Sequence, residues 1–239
     1  MLEELESRFQ LAVQSFWNGR AAQQNKQLEK GKVDGGTRGA ATGGAHMAAL
    51  EALVAEELMH AGVPPECIFT NKDLELPGYY RPEKRWDLLV VVDSRLVVAI
   101  EFKSQVGPSF GNNFNNRTEE ALGNAEDIWT AYREGRLGRH PAPFLGYMFL
   151  LEDCDAVHTA VKPTAPHFSI DPIFESASYA KRYEILCERL VLERKYSAAC
   201  LTLATNIEPT VVSWPSSVAT FRHFIAQMDG HVRTFLNSR

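Results

Sequence analysis

The chain has 239 residues, 45% of them apolar and 23% charged, with a formal net charge of −5. Such a length suits one domain with a large core or at most two small ones, and the composition is that of an ordinary globular protein. The acidic balance excludes a protein that coats nucleic acid indiscriminately, so any affinity for DNA must come from local positive charge.

The four cysteines, Cys67, Cys154, Cys187 and Cys200, form no CxxC pair. A zinc site built on such a pair is therefore not expected, and the thiols read as reduced in a cytoplasmic protein. The N-terminal run MLEELESRFQ is acidic and lacks an apolar signal core. No apolar stretch approaches the roughly 18 residues of a membrane span.

Helical spacing of Leu5, Phe9, Ala12, Val13 and Phe16 predicts a helix over 3–17, continued by a polar helical stretch over 19–30. Phe9, Phe16 and Trp17 suit either core packing or a dimer contact. GKVDGGTRGAATGG, residues 31–44, reads as a loop, and no Gly-Lys-Ser/Thr ends it as a phosphate-cradling loop requires. A helix is expected from about His46 to Ala61, stopped by Gly62-Val63-Pro64-Pro65. A strand over 67–76 follows, then the basic, turn-rich LPGYYRPEKR.

WDLLVVVDSRLVVAIEFKS carries the strongest hairpin signal: two β-branched runs flank a turn at Asp93-Ser94-Arg95. Both faces of both strands are apolar, so the hairpin belongs inside a sheet covered on two sides. A polar loop is expected from Gln105 to Asn116, and a helix from Arg117 to Glu134 with Asn116 as its cap and Glu119 three residues on. Residues 144–151 read as a buried strand, 176–195 as a helix, 198–205 as a strand and 217–236 as a last helix disturbed at Gly230. This order predicts a single α/β domain over 1–239: an N-terminal helix and Gly-rich loop (1–45), a central part built on the hairpin (46–151), and helices and a strand completing that core (152–239).

The chemistry is concentrated on the hairpin. Asp87 opens its first strand, and Glu101 and Lys103 close its second. Residues two apart on a strand face the same way, so Glu101 and Lys103 share a face. Two carboxylates beside an ammonium, set among Leu-Val-Val-Val and Val-Val-Ala-Ile, need compensation. A divalent cation with oxygen ligands would supply it, and magnesium prefers such a site. The same spacing also fits a structural ion pair at a strand end. One metal site requires Asp87 and Glu101 on one face. Opposed hairpin residues have numbers of constant sum, 188 for Asp87 with Glu101 but 187 for Val92 with Arg95 across a two-residue turn. An odd-length turn centred on Ser94, or a bulge, is therefore required.

Asp87 with Glu101-Phe102-Lys103 resembles the core motif of the PD-(D/E)xK nuclease superfamily, with Trp86 in place of the proline before the aspartate. The longer run EFKSQVGPSFGNNFNNRTEEALGNAEDIWTAYREG, with RPEKRWDLLVV before it and TRGAATGG upstream, resembles the XhoI family of type II restriction endonucleases. The resemblance covers about Gly35 to Gly135. It implies a central mixed β-sheet flanked by helices, with a restriction-endonuclease-like core. It implies a Mg2+-dependent homodimer that cuts a palindromic hexamer, CTCGAG, in double-stranded DNA, and a methyltransferase that protects host DNA. Asp87 and Glu101, with the Phe102 carbonyl, would hold the metal, and Lys103 would serve the attacking water. Related nucleases also place a helical glutamate near the metal, which draws attention to Glu57, although a structural ion pair is the simpler account of it.

For DNA contact, the candidates are the amides Gln105, Asn112, Asn113, Asn115 and Asn116 with Arg117, which suit base edges. Arg38 in the glycine-rich segment, and Arg81, Lys84 and Arg85 before the catalytic strand, suit phosphates. Two other functions share these features: a structure-specific or repair nuclease with the same core, and a cleavage-deficient DNA-binding module.

Overall fold

The computed structural model describes residues 2–29, 46–138 and 141–238. Helix α1 (Leu2–Glu29) is one continuous helix, so the polar continuation joins the amphipathic part without a break. Phe9, Phe16 and Trp17 are buried in the core of this same chain, which takes them out of contention as a dimer contact. Helix α2 (Ala48–His60) packs against α1 and is tied to it by Arg8, which bridges Glu56 and Glu57 at 2.6 Å each.

The expected strand over 67–76 is instead two short strands in different sheets. β1 (Ile68–Phe69) pairs with the main sheet, and Asp73, at a φ of 58°, turns the chain away. β2 (Glu75–Pro77) and β3 (Glu83–Arg85) then form a small antiparallel hairpin of their own.

β4 (Leu88–Val92) and β5 (Arg95–Gln105) form the hairpin that carries the candidate residues Asp87, Glu101 and Lys103. β6 (Phe144–Glu152), β7 (Ala198–Ala204) and β8 (Val212–Ser213) complete a six-stranded mixed sheet in the order β1-β4-β5-β6-β7-β8. β5, β6 and β7 run parallel; the other pairs are antiparallel. The parallel steps need crossovers, and helices α3 (Phe110–Arg133) and α4 (Tyr179–Leu192) supply them. α3 and α4 cover one face of the sheet; α1, α2 and the last helix α5 (Phe221–Asn237) cover the other. Coverage on both sides is what the all-apolar strands demand. Among the described residues no helix is long and apolar enough to cross a membrane.

Two further expectations are corrected. Helix α3 begins at Phe110 and not at Arg117, so the amide-rich segment is its first two turns and Asn116 caps nothing. Phe110 is buried against Tyr179, and the half-buried Phe114 four residues on packs on Tyr183 of the same core cluster; that spacing draws the segment into the helix. α5 also runs unbroken through Gly230.

Gly146 sits in the central strand β6 where the ring of Phe224 lies on the sheet. A Cβ at 146 would fall 2.6 Å from that ring and 3.1 Å from Ile100. Gly146→Ala is therefore expected to lower stability by about 1–3 kcal/mol through overpacking. Phe224→Leu in the same chain should recover part of the loss. Thermal melts of the single and double variants check this; an unchanged midpoint for Gly146→Ala would contradict the contact.

Candidate active site

The hairpin solves its register problem with a bulge. Asp93 and Ser94 form a two-residue turn, with φ of 48° and 59°, the left-handed pair such a tight turn uses. Val92 faces Arg95 and Val91 faces Leu96, but Val90 then faces Val98. Val97 is the extra residue, and Val97 and Val98 both enter the same core cluster. Beyond the bulge Leu88 faces Ile100, so Asp87 comes level with Glu101 on the α3 side of the sheet. A bulge was one of the two solutions the spacing allowed.

Asp87, Glu101 and Lys103 meet there. Lys103 Nζ lies 2.6 Å from Glu101 Oε1 and 3.9 Å from Asp87 Oδ2. The Phe102 N–H donates to Asp87 Oδ2 at 2.8 Å. A residue's N–H and C=O leave a strand on the same side, so the Phe102 carbonyl faces the edge where Asp87 sits. Glu101 is the deep member, its side chain 2% exposed, while that of Asp87 is 35% exposed. Burial pushes the Glu101 carboxyl up, but Lys103, Lys84 and Asn124 outweigh it and leave it below the usual carboxylate range. Asp87 lies above its usual range because burial outweighs Lys103 and the Phe102 N–H.

Of the basic residues before the strand, Lys84 turns inward. Its Nζ lies 3.4 Å from Glu101 Oε1 and 4.0 Å above the Trp86 ring, and burial lowers its pKa despite Glu101. The ring of Trp86 thus forms the floor under this lysine. Arg81 is engaged with Asp127 and Asn124, so it is not the free phosphate ligand expected from sequence. Arg85 remains at the surface, bonded to Glu75 and to the Asn71 carbonyl.

On α3, Asn112, Asn115 and Asn116 are exposed on the first two turns, and Asn113 and Arg117 are half-buried, Arg117 pairing with Glu120. Gln105 is 3% exposed and accepts from the Tyr183 hydroxyl, which removes it from the residues that can meet DNA directly. Arg38 lies outside the described residues.

Glu57 is held by Arg8 at 2.6 Å and is not part of the site. The α2 glutamate that feels the site is Glu51, half-buried, whose carboxyl is pushed up to about 7 by burial and by the charge of Asp87, against a pull from Arg85. Two more residues escaped the sequence reading. Asn124 donates to both Glu101 oxygens, at 2.9 and 2.8 Å, and Asp127 holds Arg81. Their signal is the burial of an asparagine and an aspartate beside the apolar stripe of Ala121, Ala125 and Ile128.

The donor set suits a small divalent cation. Two carboxylates share one face beside a main-chain carbonyl, and the buried one is kept ionised by Lys103 and Lys84. Among the described residues no group of three acidic, histidine or cysteine side chains converges as a cage. One or two carboxylates with water and phosphate filling the remaining positions is how magnesium binds.

The model of the restriction endonuclease XhoI family matches residues 26–214. The chain belongs to the XhoI restriction endonuclease family. It is 49% identical over 185 residues to the type II restriction enzyme BstVI of Geobacillus stearothermophilus, covering 75% of this chain and 82% of the relative. It is 45% identical over 194 residues to the type II restriction enzyme XhoI of Xanthomonas vasicola, covering 80% of this chain and 77% of the relative. It is 48% identical over 168 residues to the type II restriction enzyme AbrI of Azospirillum brasilense, covering 70% of this chain and 75% of the relative. No solved structure matches the chain. The family match extends well past the segment over 35–135 that carries the resemblance in sequence. The XhoI-family chain is a type II restriction endonuclease, a site-specific deoxyribonuclease acting on double-stranded DNA by phosphodiester hydrolysis.

The Glu51 environment has a signed consequence. Its folded pKa lies above the unfolded value, so its stabilising contribution is full at low pH and is lost as pH rises through about 7. In EDTA, Glu51→Gln should gain on the parent between pH 5 and pH 8, read from urea midpoints. A constant difference across that range would contradict the environment described.

Proposed function

We propose that the enzyme cleaves the palindrome CTCGAG, using Mg2+ held by Asp87, Glu101 and the Phe102 carbonyl. The observation that carries the reading is the bulged hairpin, which brings Asp87 level with Glu101 and sets Lys103 within 2.6 Å of the buried carboxylate. The cation supplies Lewis-acid charge at the scissile phosphate. Lys103 orients the attacking water and offsets charge that develops on the phosphate. Glu101 keeps Lys103 in place, and the more exposed Asp87 faces the incoming strand. Glu51 replaces Glu57 as the helical acid beside the site. Asn112, Asn113, Asn115 and Asn116 with Arg117 read base edges from the start of α3, and Arg85 and Arg38 meet phosphates. A palindrome presents two equivalent scissile bonds, so two chains related by a two-fold axis cut both strands in one encounter. A methyltransferase of the same specificity protects host DNA, and all 239 residues serve as one endonuclease domain.

Cleavage and gel-shift assays on DNA of known sequence test this. Discrete fragments ending at CTCGAG are expected with Mg2+ and none with EDTA; Ca2+, larger and looser in its geometry, should support binding without cutting. Lys103→Ala, Asp87→Ala and Glu101→Ala should each lose most cleavage and still bind the recognition sequence. Near-normal cutting by Glu101→Ala or Lys103→Ala would place the chemistry elsewhere. A smear would indicate a general nuclease, and uncut DNA a binding module.

The reading of DNA divides along the same lines. Asn113→Ala or Asn115→Ala should weaken specific binding by roughly 1–3 kcal/mol if either side chain makes a paired base contact, with little effect on other sequences. Arg85→Ala should weaken binding to every duplex and flatten its salt dependence. Sedimentation on the recognition duplex should give two chains per duplex, and a single bound chain would overturn the dimer. If all three variants cut like the parent, the base-reading assignment fails.

A further inference from the structure

We propose that Asn124 is a positioning residue for the hydrolysis: with Arg81 and Asp127 it sets the carboxylate of Glu101 in its working orientation. The inference rests on the reading of Glu101 as a catalytic carboxylate. It concerns what aims that group.

The orientation of the Asn124 amide is decided by chemistry. Arginine only donates, so the amide atom 2.6 Å from the Arg81 Nη2 is the oxygen. The amide nitrogen must then face Glu101, where it donates to Oε1 and Oε2. Both side chains are buried, Asn124 at 6% and Glu101 at 2% exposure, so water does not offer an equivalent donor there. The amide carries no charge and does not titrate near neutrality. It can orient a carboxylate without competing for the proton or for the cation.

Arg81 is fixed in turn. Its Nε donates to Asp127 Oδ2 at 2.7 Å while Nη2 holds Asn124, so one planar fork spans two acceptors three residues apart on α3. A lysine in its place has a single donor centre and cannot reproduce that fork. Asp127 Oδ1 accepts the N–H groups of Tyr79 and Tyr80, at 2.8 and 2.9 Å. Gly78 allows the turn to come this close, because a Cβ there would lie 2.5 Å from the Arg81 carbonyl and 2.8 Å from Asp127 Oδ2. The main chain of the β2–β3 turn is thereby connected to the catalytic carboxylate through three side chains. Groups that hold a metal-site carboxylate from behind are worth about 10–100-fold in activity or metal affinity.

The test uses the full chain and a duplex carrying its recognition sequence. Single-turnover cleavage is measured in Mg2+, and binding is measured in Ca2+ and in EDTA across a salt series. The variants are Asn124→Ala, Arg81→Ala, Arg81→Lys, the double Asn124→Ala/Arg81→Ala, and Glu101→Ala. Asn124→Ala and Arg81→Ala are expected to cut about 10–100-fold more slowly. Their binding should stay within about threefold of the parent, with the same salt slope. The double variant should be no worse than the worse single, because Arg81 acts through Asn124. Arg81→Lys should be as impaired as Arg81→Ala.

Parental cleavage by folded Asn124→Ala overturns the inference, as do additive losses in the double variant. So does weakened binding to every duplex by Arg81→Ala that Arg81→Lys restores, since that marks a phosphate ligand. If Asn124→Ala fails to fold, the two Arg81 variants decide, because that side chain is 41% exposed. Normal cutting by Glu101→Ala overturns the catalytic assignment and this inference with it. Lost cutting there beside normal cutting by Asn124→Ala overturns this inference alone.

Discussion

A carboxylate in the core governs this structure. Glu101 is almost wholly buried, and an ionised group so placed is costly unless charge and hydrogen bonds surround it. Three separate segments meet that demand. Lys103 comes from the same strand, Lys84 from the small β2–β3 hairpin, and Asn124 from the crossover helix α3. The outcome is an anion held below its usual protonation range in an environment that would otherwise neutralise it. Asp87, nearer to solvent and with fewer partners, moves the opposite way. The two carboxylates of one motif are thus given different characters by burial and company.

The sheet's register is what permits this. A tight two-residue turn alone would turn Asp87 and Glu101 to opposite faces. One extra valine corrects the alternation, at the cost of a local irregularity between β4 and β5. Past the bulge β5 continues in regular parallel pairing with β6 from Val98 to Gln105. The irregularity is confined to the end of the hairpin nearest its turn, and the end that carries Asp87 and Glu101 rests on the regular, doubly covered part of the sheet. A rigid strand is a better mount for a site than a loop, since its residues are held by hydrogen bonds on both sides.

The acidic net charge is reconciled with a DNA substrate by where the basic groups point. Lys84 and Lys103 face the carboxylates, and Arg81 is spent on Asp127 and Asn124. Little of this positive charge is free to hold DNA of any sequence. The exposed first turns of α3 carry neutral amides instead. In the proposed base-reading role, such a surface favours recognition by hydrogen bonds over indiscriminate attraction.

Much of the site was legible from sequence because strand periodicity is a local property. Asp87, Glu101 and Lys103 stand at the ends of two β-branched runs, and the parity of their numbers alone demanded an odd turn or a bulge. The two-sided apolar pattern of the same runs called for a sheet covered on both faces, which the helices provide. Position across the fold was not legible, because it depends on contacts between residues far apart in the chain. Nothing local distinguishes Glu57, paired with Arg8, from Glu51, whose carboxyl feels the charge of Asp87. Nothing local shows that Lys84 turns inward, that Arg81 is tied to Asp127 and Asn124, or that Gln105 lies beneath the surface. The start of α3 was misjudged for a related reason: asparagine and glycine weaken a helix on their own, and the packing of Phe110 and Phe114 against the core overrides that preference. Sequence by itself placed Asp87, Glu101 and Lys103 at the ends of two paired strands. Tertiary structure decided which way they face and what holds them there, because burial sets the cost of a charge and only the folded chain brings its partners within reach.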